Sequence, residues 1–277
     1  MNNKGYAIAV YIMVFFGCVW QVSEKARYDT ADTFESHMKK LSYQLDYSNT
    51  YSPVFSPYSQ HKAKEVNTGL SQEEKTAYLT FDDGPSPRTA EILDILKKHD
   101  VKATFFVINA KDEYIPYMKR AVEEGHSIGV HSCSHKYKEI YASTDAYLAD
   151  FTRCHDYIYQ HTGYSPTIFR FPGGSVNNYN SATRKEIVRE MGRRGYIYFD
   201  WNVESNDSRR NMSADAIYNN VVKGCSGKNR AVVIMHDSTG KKSTVQALDS
   251  IITKLKEDGW KFAALTNEIK PVIFRMK

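Results

Sequence analysis

The chain has 277 residues, 42% hydrophobic and 25% charged, with a formal net charge of +5. This is ordinary globular composition, and the length holds one large domain plus additional segments or two small domains. Lys and Arg are scattered and largely matched by Asp and Glu, with no dense basic stripe, so nucleic acid is excluded as an expected partner.

Residues 5–22 contain no charge and only Gln21 as a strongly polar side chain, with Lys4 before them and Lys25 and Arg27 after. That length approaches the roughly 20 residues a helix needs to cross a bilayer. Residues 1–22 are therefore expected to form an uncleaved signal-anchor. A cleaved signal peptide is the alternative, although no small-x-small cleavage site follows. Basic residues on both flanks leave the orientation open. Residues 23–75 lose apolar periodicity and become rich in Ser, Tyr, Gln, Asn and Lys. Apart from one short amphipathic helix over 33–46, they are expected to form a polar stalk or linker.

From Thr76 onward a regular alternation begins. Strand-like apolar runs occur at 77–81, 103–108, 127–130, 167–171, 196–199, 231–235 and 261–265. Helical patterns lie at 88–98, 114–124, 143–161, 181–194, 213–222 and 243–257. In the first of these, Pro87 suits a helix start, Ile92, Ile95 and Leu96 share a face, and Lys97 and Lys98 close the C-terminal end. The alternation predicts an α/β domain with a parallel sheet. Its seven strand candidates favour a distorted (β/α) barrel over an open sheet. The catalytic domain is expected over 76–270, with 271–277 as a C-terminal tail.

The polar residues with chemical potential fall just past the strand-like runs. Asp82 and Asp83 follow the first, His131 and His135 the third, and Arg170 ends the fourth. Asp200 to Asp207 follow the fifth, and His236 with Asp237 the sixth. In β/α barrels that rim is where active sites are assembled.

Taken alone, Asp82-Asp83-Gly84-Pro85 reads equally as a turn. Two adjacent carboxylates, however, need a cation or an Arg to offset them. Two imidazoles and one carboxylate form a three-ligand metal set with a coordination position left open, and the second Asp is then spare as a general base. Cys133, between the two His residues, is a further potential ligand, but a cysteinate would bring structural-site character, and it is read as a small buried residue. Arg170 is either a rim salt bridge or a fork paired with Asp82. The Gly173 amide is placed to donate to a developing oxyanion. His236 reads as a core His or as a general acid supported by Asp207, with Asp200 and Glu204 as alternative partners. Beyond Cys18 in the anchor, Cys133, Cys154 and Cys225 are an odd set, expected as free thiols, with a Cys154–Cys225 bridge conceivable.

With these residues assembled, the chain resembles the polysaccharide deacetylase family, the NodB-homology domain of carbohydrate esterase family 4. The resemblance spans about Thr76 to Lys270. It rests on Thr80-Phe81-Asp82-Asp83-Gly84-Pro85, His131-Ser132-Cys133-Ser134-His135, Arg170-Phe171-Pro172, Asp200-Trp201 through Asp207, and Ile234-Met235-His236. It implies a distorted (β/α) barrel. It also implies a divalent metal on Asp83, His131 and His135, with zinc expected and cobalt or another divalent ion as alternatives.

By the same resemblance Asp82 is the base, Arg170 its tether, His236 the acid and Asp207 its supporting carboxylate. Ile234 lines the pocket for the acetyl methyl group. Three positions depart from the family pattern: Gly173 stands where Tyr is common, Ser208 where Trp is frequent, and Ile234 where Leu is usual.

The implied reaction is metal-assisted hydrolysis of an N-acetyl group on a sugar polymer. The expected substrate is the N-acetylglucosamine of peptidoglycan, and chitooligosaccharide and O-acetyl-xylan are alternatives. A carbohydrate-binding pseudoenzyme is the reading of another class, and the retained Asp82, Asp83, His131, His135, Arg170 and His236 argue against it. The anchor implies a membrane protein with its catalytic domain outside the cytoplasm, or a secreted one if cleaved. Oligomeric state is left open.

Overall fold

Nine consecutive residues, Thr76–Gly84, form the central strand β1, and every one but Asp83 is buried. A strand hidden on both faces is what a parallel sheet covered on each side requires. In the computed structural model, which describes residues 75–275, β1 pairs in parallel with β2 (Thr104–Ile108) and β7 (Arg230–His236). Beyond β2 lie β3 (Ser127–Ser132), β4 (Ile168–Phe169) and β5 (Ile197–Tyr198), while β6 (Val203–Glu204) flanks β7. The path runs β5-β4-β3-β2-β1-β7-β6, and β8 (Lys261–Phe262) adds to the start of β1.

Among the described strands no ladder joins β5 to β6, so the expected barrel is a half-barrel. Its two end strands are consecutive in the chain, and only residues 199–202 cross between them. β6 has no counterpart among the sequence expectations, because two residues are too few for periodicity to register. The membrane segment expected over 1–22, and all but the last residue of the stalk expected over 23–75, lie outside the described residues. Among those described, no helix is long and apolar enough to cross a membrane.

The helices are α1 (Pro87–Lys98), α2 (Ile115–Glu123), the short α3 (Tyr137–Ile140), α4 (Thr144–Thr162), α5 (Arg184–Arg193), α6 (Ala214–Cys225) and α7 (Lys242–Glu257). α1 starts where local chemistry directs: Ser86 Oγ accepts from Arg88 N at 2.9 Å, and Thr89 Oγ1 accepts from Ser86 N at 2.7 Å. This reciprocal cap precedes a buried face of Ile92, Leu93 and Leu96.

The apolar interior is in two parts. Ala77, Leu79 and Phe81 of β1 pack with the helices in the larger core. The alternate side chain Tyr78, with Phe106, Ile168, Ile197, Phe199, Val232 and Leu265, fills the inside of the half-barrel. Cys133, Cys154 and Cys225 are unbridged.

Residues 271–275, expected as a tail, dock back onto the domain. Asp200 N donates to Val272 O at 2.8 Å, and Asp200 Oδ2 accepts from Phe274 N at 2.7 Å. The Phe274 ring meets Trp201 edge-on at 4.8 Å. The buried Asp200 carboxylate needs donors, and the terminal segment supplies one.

Candidate active site

Because the strands are parallel, their C-terminal ends share one rim, and the β1–β7 register sets Asp82 opposite His236 there. Adjacent residues of a strand normally face opposite ways, yet Asp82 and Asp83 both line one pocket of about 430 Å³. The register shifts in the β1–β2 ladder between Asp82 and Gly84, stranding Asp83 in left-handed backbone at φ +73°. The bulge re-aims its carboxylate. A second shift in the β2–β3 ladder pairs Val107 with Val130 and Ile108 with Ser132, leaving His131 bulged in the same manner.

Asp83 Oδ1 lies 3.3 Å from His135 Nε2 and 3.6 Å from His131 Nε2. It is buried without a hydrogen-bond partner, which a native carboxylate rarely is. These separations fit donors sharing a cation, since ligands about 2.0–2.1 Å from a tetrahedral centre stand roughly 3.3 Å apart. His131 Nδ1 donates to Arg170 O at 2.8 Å, which leaves the Nε2 lone pair directed at the cluster. Burial pushes His131 down to about 3 despite the Asp83 charge beside it, so the ring is neutral, the form in which an imidazole can ligate a metal. The three donor atoms form the one His/Cys/Asp/Glu cluster suited to a metal ion among the described residues. The residues present fit a divalent cation.

The His131–His135 loop is organised by Asp150 of α4, which the sequence reading did not single out. Its carboxylate accepts from Ser132 Oγ at 2.5 Å, Cys133 N at 2.8 Å and Ser134 N at 3.0 Å. Against the upward pull of burial, those bonds hold the Asp150 carboxyl below its ordinary value. Ser132 Oγ in turn accepts from His135 N at 2.9 Å and holds that residue at φ +54°. Cys133, weighed as a ligand, falls outside the cluster and is half-buried instead of buried.

Arg170 is fully buried, not a rim salt bridge. Its fork does not grip Asp82 with two prongs. Nη1 alone donates to Asp82 Oδ1, at 2.8 Å, and also to Thr80 Oγ1 at 2.7 Å. Nε donates to Phe199 O at 2.9 Å and Nη2 to Asp200 O at 3.2 Å. The guanidinium lies 4.3 Å over the Phe106 ring. Arg170 therefore ties β1, β4 and the β5–β6 crossing together from inside the half-barrel while it orients Asp82.

On the far side of the pocket, Asp207 Oδ1 lies 2.7 Å from His236 Nδ1. Asp207 Oδ2 accepts from His236 N and from Thr244 Oγ1, both at 2.8 Å. Burial opposes the charge on each partner, but the hydrogen bond prevails: His236 is held above its ordinary value and Asp207 below. The other two carboxylates considered for His236 are engaged elsewhere. Asp200 binds Ser175 and Phe274, and Glu204 accepts from Trp201 Nε1 at 3.2 Å. Gly173, Ile234 and Ser208 line the same pocket. Tyr137 and Lys241, which line it too, carried no recognisable pattern in the sequence.

With this geometry in hand, likeness to known proteins carries weight. The family description "Polysaccharide deacetylase" matches residues 69–196. A peptidoglycan-N-acetylglucosamine deacetylase of Bacillus cereus is 38% identical over 203 residues, 71% of this chain and 71% of the relative. The crystal structure of the catalytic domain of peptidoglycan N-acetylglucosamine deacetylase from Eubacterium rectale superposes with a TM-score of 0.71 at 36% identity, covering 75% of this chain and 96% of that one. A polysaccharide deacetylase structure from Bacillus cereus gives 0.63 at 35% identity, covering 72% and 96%. Identity of this degree over most of both chains shows that the chain belongs to the polysaccharide deacetylase family, hydrolases that act on amide bonds.

Proposed function

We propose that this domain removes the acetyl group from N-acetylglucosamine in a cell-wall glycan, peptidoglycan, releasing acetate and leaving a free amine on the sugar. The observation that carries the reading is the Asp83–His131–His135 cluster with its unpartnered Asp83 Oδ1, beside Asp82 and with His236 opposite that residue. Asp83, His131 and His135 would hold a divalent cation, and zinc suits two imidazoles and a carboxylate with a position left open. Such an ion supplies Lewis acidity toward the acetamide oxygen and makes a water more acidic.

The chain's own groups do the rest. Asp82, oriented by Arg170, takes a proton from the attacking water. The Gly173 amide donates to the oxygen that becomes negative at the former carbonyl. His236, held above its ordinary value by Asp207, delivers a proton to the departing nitrogen as the C–N bond breaks. Ile234, 6% exposed, presents an apolar wall to the acetyl methyl group. Peptidoglycan is favoured because the Bacillus cereus and Eubacterium rectale relatives are named for that substrate. The reading goes with an enzyme anchored by residues 1–22 and facing the wall. Cell fractionation that finds it in the medium would indicate cleavage.

Acetate release should be measured on peptidoglycan, acetylated chitooligomers and acetyl-xylan, with metal content determined on the same sample. Peptidoglycan is expected to be the preferred substrate, at about one bound metal per chain. Preference for acetyl-xylan would overturn the amide assignment, and glycan binding without any acetate release would establish a binding module.

A further inference from the structure

Gly173 adopts φ +74°, and a Cβ built there would meet the Tyr137 hydroxyl at 3.1 Å and its ring at 3.2 and 3.3 Å. The space that a side chain at 173 would enter is thus held by Tyr137, which arrives from α3, just past His135. Its ring sits edge-on to His135 at 5.2 Å and edge-on to Tyr179 at 5.3 Å. Tyr137 is half-buried and faces the pocket, while Tyr179 is 49% exposed. Together they make one aromatic wall running outward from the cluster.

The loop bearing Tyr179 is built, not loose. Tyr179 N donates to Asn177 Oδ1 at 2.8 Å, and Asn177 Nδ2 donates to Pro172 O and Gly174 O at 3.2 and 3.0 Å. The Tyr141 hydroxyl also donates to Pro172 O, at 2.8 Å.

We propose that Tyr137 and Tyr179 form a subsite for the pyranose ring next to the one that loses its acetyl group, so that the enzyme selects glycan chains over single sugars. This rests on the deacetylase reading above. A pyranose face carries outward C–H groups of slight positive charge, which pack on the electron-rich face of an aromatic ring. The Tyr137 hydroxyl adds a donor for a sugar hydroxyl or acetamide oxygen. A single exposed ring beside a polar pocket is too small a patch for a protein partner, whereas it matches one sugar.

Two measurements on the full-length protein test this. The first is binding of chitotetraose and of N-acetylglucosamine to metal-free protein, followed through tryptophan fluorescence, since Trp201 lines the pocket. The second is kcat and KM for chitotetraose and chitobiose with metal restored. Tyr179→Ala and Tyr137→Ala are each expected to weaken tetramer binding and raise tetramer KM about tenfold, well beyond the change for the smaller sugar.

Tyr137→Phe is expected to recover most of the loss. Tyr159→Ala, exposed on α4, serves as the control. Equal effects on long and short ligands would overturn the subsite. So would a fall in metal content matching the fall in activity, because Tyr137 would then act only by propping His135. A wild-type protein releasing no acetate strikes the deacetylase reading instead, and the binding arm still decides the subsite.

Discussion

On the β1–β3 side of the rim, Asp83 and His135 sit in left-handed backbone, Asp83 and His131 are bulged out of their ladders, and Asp83 Oδ1 has no hydrogen-bond partner. On the β6–β7 side, each oxygen of Asp207 is engaged by His236, and Thr244 adds a further bond. The first side carries strain on the order of 1–2 kcal/mol for each left-handed residue. The second is satisfied by the protein alone. The difference matches the two tasks proposed for them: a cluster suited to a cation, and a His–Asp pair whose bonds need none.

Metal removal is the harshest way to break that contrast. Chelation, or His131→Ala, is expected to cut activity about a thousandfold or more. Re-addition of zinc should restore the chelated wild type but not the variant. Denaturation curves give a second reading: zinc at about 100 times its Kd should stabilise wild type by about 2.7 kcal/mol. A chelated enzyme with undiminished turnover would end the case for the cluster.

Asp82→Asn comes next, with an expected loss in kcat of about 10²–10⁴-fold while metal content stays intact. Wild-type activity in that variant would remove Asp82 from the reaction. Arg170→Met should be costly for a different reason. It leaves Asp82 buried without its partner, an expected loss of about 3–5 kcal/mol in urea unfolding. A change under about 1 kcal/mol would show that the buried pair is not what holds the strands together.

Asp150→Ala sharpens the first side of the comparison. Its three bonds set the His131–His135 loop, so metal affinity should fall about 10–100-fold by competition titration. The mildest effect is expected on the second side. His236 is held above its ordinary value, so the stability from its protonated form is complete below that ordinary value and is lost as pH rises through the raised folded value. Asp207→Asn removes the carboxylate that raises it. The alkaline limb of the pH–activity profile should therefore move to lower pH. A limb that does not move would assign it to another group.

Much of this was legible beforehand. The alternation of apolar runs with helical faces is a property of neighbouring residues, and so β1, β2, β3 and β7, the helix starting at Pro87, and the placement of Asp82, Asp83, His131, Arg170 and His236 at strand ends were all readable. That Asp83, His131 and His135 could suit a cation was readable too, because residue types bound what a site can bind. The chain by itself determined which groups stand on the rim.

Tertiary structure decided how they point and what holds them. Asp83 reaches the same pocket as Asp82 because a register shift against β2 breaks the two-residue alternation, and a register depends on the partner strand. Arg170 spends three of its four side-chain bonds on Thr80, Phe199 and Asp200, residues far from it in sequence. Asp150, Tyr137 and residues 271–275 gain their roles from segments that only folding brings near. Periodicity is local and survives in a string of letters, whereas bulges, second partners and cavity walls are set by the packing of distant segments.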